Sequence, residues 1–165
     1  MSANQKDAAG ISDNQVELIT DLLKQDASAV NSFPLSFTQQ RLWFLDELEP
    51  GLPIYNIPAA IRLTGALDID ALTRALNEVV RRHEVLRTIF ISIDGRPRQV
   101  ILPSITLSIP LVELGDFSAA EQETRVCELR DAEARQPFSL SHGPLLRARL
   151  LQLGRHDHIL LLTMH

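Results

Sequence analysis

The side chains best suited to acid–base or metal chemistry in this sequence are its five histidines. They are His83, His142, His156, His158 and His165. His156 and His158 would share one face of a strand, because strand side chains alternate with a period of two. Two histidines without a third ligand at suitable spacing favour a polar hairpin turn over a metal site. The sequence therefore predicts no metal site and no directly bound cofactor.

Cys127 and a short serine–histidine cluster are the candidates for nucleophilic catalysis. Cys127 lies within a predicted helix without an adjacent base, and we expect it to be a small packing residue. Ser139, Ser141 and His142 lie in a predicted loop but lack the G-x-S-x-G elbow that exposes a catalytic serine. These residues alone therefore form no complete catalytic constellation.

Composition and charge exclude several classes of protein. The 165 residues fit one domain, and a content of 45% hydrophobic and 22% charged residues is typical of a globular chain. Its 16 Lys and Arg residues against 21 Asp and Glu give a net charge of −5, which argues against a nucleic-acid partner. One cysteine excludes an intrachain disulfide. With neither a secretory signal nor a membrane-spanning stretch in the sequence, we expect a cytoplasmic protein without a membrane partner.

The N-terminal third of the chain is predicted to contain two helices. Apolar residues at helical spacing predict an amphipathic helix over residues 13–25, and a small, polar linker follows over 26–32. Ser36 and Gln39 form a capping box, in which each side chain bonds the other residue's backbone amide. This box opens a second helix over residues 37–48.

Strands alternating with helices over the rest of the chain predict an α/β fold. Asp68 caps a helix that ends near Arg82, and Ser118 opens a charged helix that ends near Arg135. Asp94-Gly95 is a strong signal for a two-residue hairpin turn. The predicted strands cover residues 59–63, 88–93, 99–102, 105–112, 145–153 and 158–165.

The last strand is the most informative one. Residues 159–162 form a continuous apolar run, which is typical of a strand buried on both faces in the interior of a sheet. The sequence stops within this strand, and an open sheet edge there would invite pairing with another chain. We therefore expect a truncated domain.

Two segments resemble core motifs of the condensation domains of nonribosomal peptide synthetases. Residues 36–45, SFTQQRLWFL, are similar to S-x-A-Q-x-R-L-W-x-L, with Thr38 in place of alanine. Residues 82–90, RHEVLRTIF, match R-H-E-x-L-R-T-x-F throughout. The polar and aromatic motif positions are Ser36, Gln39, Arg41, Trp43, Arg82, His83, Glu84 and Arg87. From the residues alone, Arg82 and His83 suit a helix C-terminus, Arg87 suits the solvation of a helix end or hairpin, and Trp43 suits a core.

The last two residues of the chain resemble the start of a third motif of this family. In the family, a hydrophobic strand precedes the motif H-H-x-x-x-D-G, and Met164-His165 matches the start of that motif. By this resemblance His165 is the first histidine of the catalytic motif, and the second histidine, which acts near the attacking amine, would follow it. The resemblance covers residues 34 to 165 and implies truncation at the point that the strand pattern indicates.

The resemblance implies a fold and a division of the chain. The fold is the N-terminal lobe of a two-lobed domain like chloramphenicol acetyltransferase, with a mixed sheet flanked by helices. Residues 33–165 are this incomplete lobe, and residues 1–32 are a tail, an amphipathic helix and a linker. The missing C-terminal lobe would be a partner.

The resemblance also implies an activity. The parent domain forms an amide bond between a donor acyl or peptidyl thioester and an acceptor aminoacyl thioester, both carried on the phosphopantetheine of carrier proteins. The details of the match are more similar to the subclass with an L-configured donor than to the D-donor or heterocyclising types, and His165, in place of aspartate, argues against the heterocyclising type. We expect the 165-residue chain to be inactive by itself, because the second histidine and the opposite lobe are missing.

Two alternatives remain open at this point. The chain is either part of such an enzyme or a non-catalytic module that binds carrier proteins, and a stand-alone acyltransferase of the same superfamily fits the long motifs less well. If Met1 is the native start, the donor arrives from another synthetase or polyketide synthase subunit. The helix over residues 13–25 either docks that subunit or packs on its own domain, and an amphipathic stripe favours packing.

Overall fold

The computed structural model of the protein describes residues 10–26 and 30–165. The helices are α1 Asp13–Gln25, α2 Phe37–Leu48, α3 Ile69–Arg82 and α4 Ala119–Arg135. The strands are β1 Ser32–Pro34, β2 Ile57–Thr64, β3 Thr88–Ile93, β4 Arg96–Ile101, β5 Leu111–Glu113, β6 Leu146–Gly154 and β7 Asp157–Met164. A short 3-10 helix over Glu84–Arg87 joins α3 to β3. In this described part of the chain, no helix is both long and apolar enough to cross a membrane.

Four strands form the main sheet, in the order β2-β7-β6-β5. The sheet is mixed, because β5 pairs with β6 in parallel and the other pairs are antiparallel. On one face, Leu72 and Leu76 of α3 pack against the cluster that contains Leu160. On the other face, Val126 of α4 packs against the cluster that contains Leu161. This arrangement confirms the prediction of an α/β fold with a mixed sheet flanked by helices.

Strand β7 lies in the interior of the main sheet, between β2 and β6, as its apolar run predicted. Leu160 belongs to the core on the α3 side, and its neighbour Leu161 belongs to the core on the α4 side. The strand is therefore buried on both faces. His165 follows its last residue and donates its backbone N–H to the carbonyl oxygen of Leu145 over 3.1 Å.

The remaining strands form a small sheet in the order β1-β4-β3. Asp94 and Gly95 connect β3 to β4 with φ angles of 50° and 75°. Two consecutive left-handed residues define the two-residue turn that the sequence predicted. Because this turn is so short, pairing resumes at once between Ile93 and Arg96, and β4 begins three residues before the predicted residue 99.

Helix α1 has the predicted bounds and packs on the small sheet. Leu23 is only 5% exposed and lies in one cluster with Ile89 and Val100. At its start, Asp13 Oδ1 lies 2.8 Å from His142 Nε2, and the Ile11 backbone N–H donates to the His142 carbonyl. The apolar face of this helix is therefore in contact with its own domain.

The predicted linker over residues 26–32 is one residue too long. Ser32 is the first residue of β1 and pairs with Val100 of β4, so a boundary between residues 32 and 33 falls inside a strand. A three-residue strand that ends in Pro34 has no alternating pattern to reveal it. Residues 27–29 of the linker and residues 1–9 of the predicted tail lie outside the described residues.

The strand predicted over residues 105–112 is mostly wrong. Only Leu111–Glu113 is a strand, which pairs with β6. Upstream of it, the side chain of Asn77 on α3 bonds both backbone groups of the buried Leu107, at 2.9 and 3.0 Å. The backbone hydrogen bonds of Leu107 are thus made with a side chain instead of a neighbouring strand. The side chain of Leu107 packs in the core beneath α3.

Candidate functional site

A cavity of about 490 Å³, here called the central cavity, lies between α2, the 3-10 helix, the small sheet and the end of β7. All three motif segments that sequence analysis singled out contribute to its walls, beside Ile57, Gln99, Ile101, Leu140 and Leu145. The first segment contributes Gln39, Leu42 and Trp43, the second contributes Glu84, Val85, Leu86, Thr88 and Phe90, and the third contributes Met164 and His165. Distant parts of the chain thus meet around one mainly apolar space.

Gln39 serves both as a helix cap and as a link to the small sheet. Its Oε1 accepts from the Ser36 backbone N–H over 2.8 Å, and the Ser36 hydroxyl accepts from its backbone N–H over 3.2 Å. This is the predicted capping box. The Gln39 amide nitrogen also donates to Gln99 Oε1 of β4 over 3.2 Å. The start of α2 is therefore fixed against the cavity wall.

Glu84 and Arg87 belong to the 3-10 helix that forms another wall. Arg87 donates to the backbone carbonyl of Leu102, and its Nη2 lies 3.5 Å from Glu84 Oε1. The Thr88 hydroxyl donates to the Glu84 carbonyl oxygen over 2.8 Å. Arg87 therefore fixes the wall, while Glu84 and Thr88 line the cavity.

Five motif residues do not line the central cavity, and Arg87, described above, is one of them. Ser36 caps α2, and Arg41 is exposed on the same helix. Arg82 ends α3 with its guanidinium 2.8 Å from Glu78 Oε1, and His83 follows as the exposed C-cap residue. Their observed positions fit helix capping and solvation, which the residues alone suggested.

His165 lies half-buried between two aromatic rings. The Tyr55 ring stands edge-on with its centroid 6.3 Å from that of the imidazole, and the Phe138 ring does the same at 5.9 Å. Burial lowers the pKa of His165 below its ordinary value, and the negative charge of Asp46 on α2 opposes this shift. Around neutral pH the imidazole is therefore uncharged and available as a hydrogen-bond acceptor.

The other candidate residues form no second reactive site. Within residues 10–26 and 30–165, no group of three His, Cys, Asp or Glu side chains is arranged to hold a metal ion. His158 is buried in β7, whereas His156 is exposed in the turn before it. Cys127 is exposed on α4, so the prediction that it packs in a core is wrong. The small cysteine side chain lies on the charged, solvent-facing surface of this helix.

Ser139, Ser141 and His142 form a hydrogen-bonded chain with Asp13 that sequence analysis did not foresee. Both serine hydroxyls lie within 2.9 Å of His142 Nδ1, and Asp13 bonds the other ring nitrogen. Both hydroxyls bond the same ring nitrogen, and Asp13 is exposed. None of these four residues lines the central cavity. This chain attaches α1 to the loop before β6.

A model of the condensation-domain family matches residues 30–165, which is most of the sequence. The chain belongs to the condensation-domain family. Peptide-bond formation by nonribosomal peptide synthetases is the function of this family. The match begins within the last residues before β1 and leaves α1 outside it.

Curated relatives belong to such synthetases. One of the linear gramicidin synthase proteins of Brevibacillus parabrevis is 47% identical over 132 residues, which is 80% of this chain and 2% of that protein. Phosphinothricin tripeptide synthetase PhsC of Streptomyces viridochromogenes is 49% identical over 138 residues, which is 80% of this chain and 12% of that protein. The chain therefore spans a small part of the curated relatives it matches.

Solved condensation domains share the fold. A variant of the starter condensation domain of rhizomide synthetase superposes with a TM-score of 0.76 at 28% identity, covering 86% of this chain and 32% of that one. A second structure of this starter domain was solved with C8-CoA and Leu-SNAC, and it superposes with a TM-score of 0.72 at 27% identity over 82% of this chain and 30% of that one. The likeness confirms the predicted fold class, and the chain covers about a third of those solved domains.

Sequence reasoning missed much of the wall behind His165. Phe138, Leu140 and Leu145 form a core cluster against which Trp43 packs. Phe138 and Leu140 stand in an irregular segment after α4, where no hydrophobic period marks them. Their aromatic or apolar type was visible, but the topology that brings them to His165 was not.

Proposed function

We propose that this chain supplies the first part of a condensation domain that joins two carrier-bound thioesters. The amine of an acceptor aminoacyl group attacks the carbonyl carbon of a donor acyl or peptidyl thioester. A C–N bond forms, the C–S bond breaks, and the proton lost by the amine ends on the released phosphopantetheine thiol. Both phosphopantetheine arms arrive on carrier proteins, and the domain itself needs no bound cofactor.

The convergence of three motif segments on the central cavity carries this proposal. Apolar side chains such as Leu42, Trp43 and Met164 dominate the walls, which suits the largely uncharged arm and acyl chain of a thioester. Few polar groups enter the space, and they include Gln39, Glu84 and His165. Such a mainly apolar pocket with a few convergent polar groups is the usual form of a small-ligand site.

His165 supports the proposal by its position at the end of β7. Met164, the last residue of β7, and His165, which follows it, both line the central cavity. If the family motif continues after His165, its second histidine follows directly, and we assign it the task of holding the attacking amine. We assign His165 the task of fixing the strand end, as a neutral ring.

The partners follow from the same proposal. They are an upstream donor carrier protein, a downstream acceptor carrier protein and the C-terminal lobe, which covers the exposed apolar side chains around the cavity mouth. The L-configured donor subclass remains our interpretation of the motif resemblance as a whole. We infer that α1 is part of the lobe and not a docking element for an upstream synthetase protein, because its apolar face is buried on the small sheet.

Completion of the lobe tests the proposed function. All 165 residues are joined to the C-terminal remainder of the matching domain of phosphinothricin tripeptide synthetase PhsC, and this hybrid, which keeps α1, is called the completed domain. With small thioester donors and an aminoacyl thioester acceptor, we expect amide product from the completed domain and none from the 165-residue chain alone. Turnover by the chain alone contradicts its inactivity. If the completed domain folds and binds carrier proteins but forms no amide, the result favours the alternative of a non-catalytic module that binds carrier proteins.

A further inference from the structure

The C-terminal end of α4 is held by the side chain of Arg147 on β6. Arg147 Nε donates to Glu133 Oε1 over 2.8 Å, and Nη2 donates to the Glu133 carbonyl oxygen over 3.1 Å. The same guanidinium donates to the carbonyl oxygens of Gln136 at 2.7 Å and Pro137 at 3.0 Å. The last carbonyls of a helix have no partners within the helix, and Arg147 supplies them.

Asn56 holds the same helix end from the side of β2. Its Nδ2 donates to the carbonyl oxygens of Ala134 and Gln136, both over 2.8 Å. Asn56 and Arg147 thus share the Gln136 carbonyl as an acceptor. Glu133 and Arg147 are only 4% and 8% exposed, so this is a buried network with little freedom to shift.

Each of these two residues is coupled to one of the rings that contact His165. Tyr55 immediately precedes Asn56, so fixing the Asn56 side chain fixes the backbone that carries the Tyr55 ring. The guanidinium carbon of Arg147 lies 3.8 Å from the centroid of the Phe138 ring. A guanidinium stacked this closely on an aromatic face restrains the ring.

The backbone of His165 is fixed from the same side. Arg147 is the cross-strand partner of Thr163, two residues before His165, and the His165 N–H donates to the carbonyl of Leu145, two residues before Arg147. The α4 end, the end of β7 and both aromatic rings therefore form one contiguous unit. Asn56 and Arg147 are the polar residues that join its parts.

We propose that Asn56 and Arg147 are positioning residues for His165, which act by holding the Tyr55 and Phe138 rings against its imidazole. Neither residue lines the central cavity, so their effect on it is indirect. This inference rests on the proposed function only in taking His165 as part of the site. The coupling itself is a property of the 165-residue chain and is measurable without catalysis.

Looser packing of the two rings would change the pKa of His165, and the charged groups around the imidazole have to be considered with it. Asp46 on α2 and Glu49 just after it line the adjoining pocket, and Glu84 lines the central cavity. None of these carboxylates contacts Arg147 in the network described above. Looser rings would admit water to the imidazole and move the pKa of His165 up toward its ordinary value, because burial is the main cause that lowers it.

The test uses Arg147→Lys with Arg149→Lys as its matched control. Arg149 lies on the same face of β6, with its Nη2 3.6 Å from the same Glu133 carboxylate. Lysine keeps the charge beside Glu133 but loses the planar fork and the stacking on Phe138. Imidazole signals of the isotope-labelled 165-residue chain are followed by NMR over a pH titration, and global unfolding is measured in parallel.

We expect Arg147→Lys to shift the His165 ring resonances and raise its titration midpoint, while Arg149→Lys leaves both unchanged. Unchanged His165 signals in Arg147→Lys, or equal shifts in both variants, overturn the inference. If Arg147→Lys does not fold, Asn56→Ser retains the Glu133–Arg147 pair and gives the same decision through the Tyr55 ring. An intact titration effect beside an inactive completed domain contradicts only the proposed function.

Discussion

His165 is the residue on which the candidate site depends, and its surroundings make it a weak base. Two aromatic rings exclude water from the imidazole, and the nearby Asp46 carboxylate is the main group that favours its protonated form. The pKa of His165 is therefore lowered, and the ring protonates at a lower pH than an ordinary histidine. As pH falls, the imidazole is protonated in the unfolded chain before it is protonated in the folded chain. His165 therefore lowers the free energy of unfolding between its unfolded and its folded pKa, and a further fall in pH adds no effect.

Removing the charge of Asp46 tests this description. We expect Asp46→Asn to lower the pKa of His165 further, because the substitution removes the charge that raises it and leaves the burial in place. Glu47→Gln, one residue along the same helix, is the control and should leave the imidazole titration where it is. NMR titration of the imidazole decides, and a rise of the midpoint in Asp46→Asn would be incompatible with the electrostatics described here.

At the scale of elements, α2 forms a wall of the central cavity and is fixed by its cap. Both the Ser36–Gln39 box and the Ser118–Glu121 box of α4 are complete capping boxes. We expect Ser36→Ala and Ser118→Ala each to cost about 1 kcal/mol of stability, the usual value for a lost N-cap. Chemical denaturation of the 165-residue chain measures this.

The two cap variants should differ in function. Ser36→Ala loosens the start of α2, which lines the cavity, and we expect it to lower amide formation by the completed domain several-fold. Ser118→Ala lies at the far end of α4 from the residues that contact His165, and should leave the rate unchanged. Equal losses of activity in both variants would mean that the rate follows stability alone.

Helix α1 makes a second prediction at this scale. Leu23→Ala should destabilise the chain by about 2–5 kcal/mol, because the side chain is buried in one cluster with Ile89 and Val100 of the small sheet. Leu18→Ala, at a position that is 60% exposed on the same helix, should change stability by less than about 0.5 kcal/mol. Denaturation midpoints compare the two, and equal small effects would show that α1 is not packed on the domain.

Local signals were sufficient to predict most helices and the central strand. The caps at Ser36, Asp68 and Ser118 bond residues three positions away, so the sequence carries them directly. The contacts of His165 could not be predicted in this way. Tyr55 precedes β2 and Phe138 follows α4, so both rings reach the imidazole only through the tertiary fold.

At the scale of the whole molecule, several large apolar side chains are exposed, and three of them line the central cavity. These three are Val85, Ile57 and Met164, which are 69%, 61% and 42% exposed. Phe37, Phe44, Leu48 and Ile54 are exposed as well. An exposed apolar surface of this kind marks an interface. We expect the 165-residue chain to self-associate with rising concentration and the completed domain to remain monomeric. Sedimentation velocity tests this, and a chain that stays monomeric over the whole concentration range would count against a covering lobe.

The central claim is that the three motif segments of this chain form one side of an amide-forming site. The most direct measurement is the intact mass of an aminoacyl-loaded acceptor carrier protein after incubation with the completed domain and a loaded donor carrier. We predict that the acceptor gains the mass of the donor acyl group while the donor carrier returns to its free thiol form. Two carriers that keep their original loads, beside an active intact PhsC condensation domain, would contradict the claim.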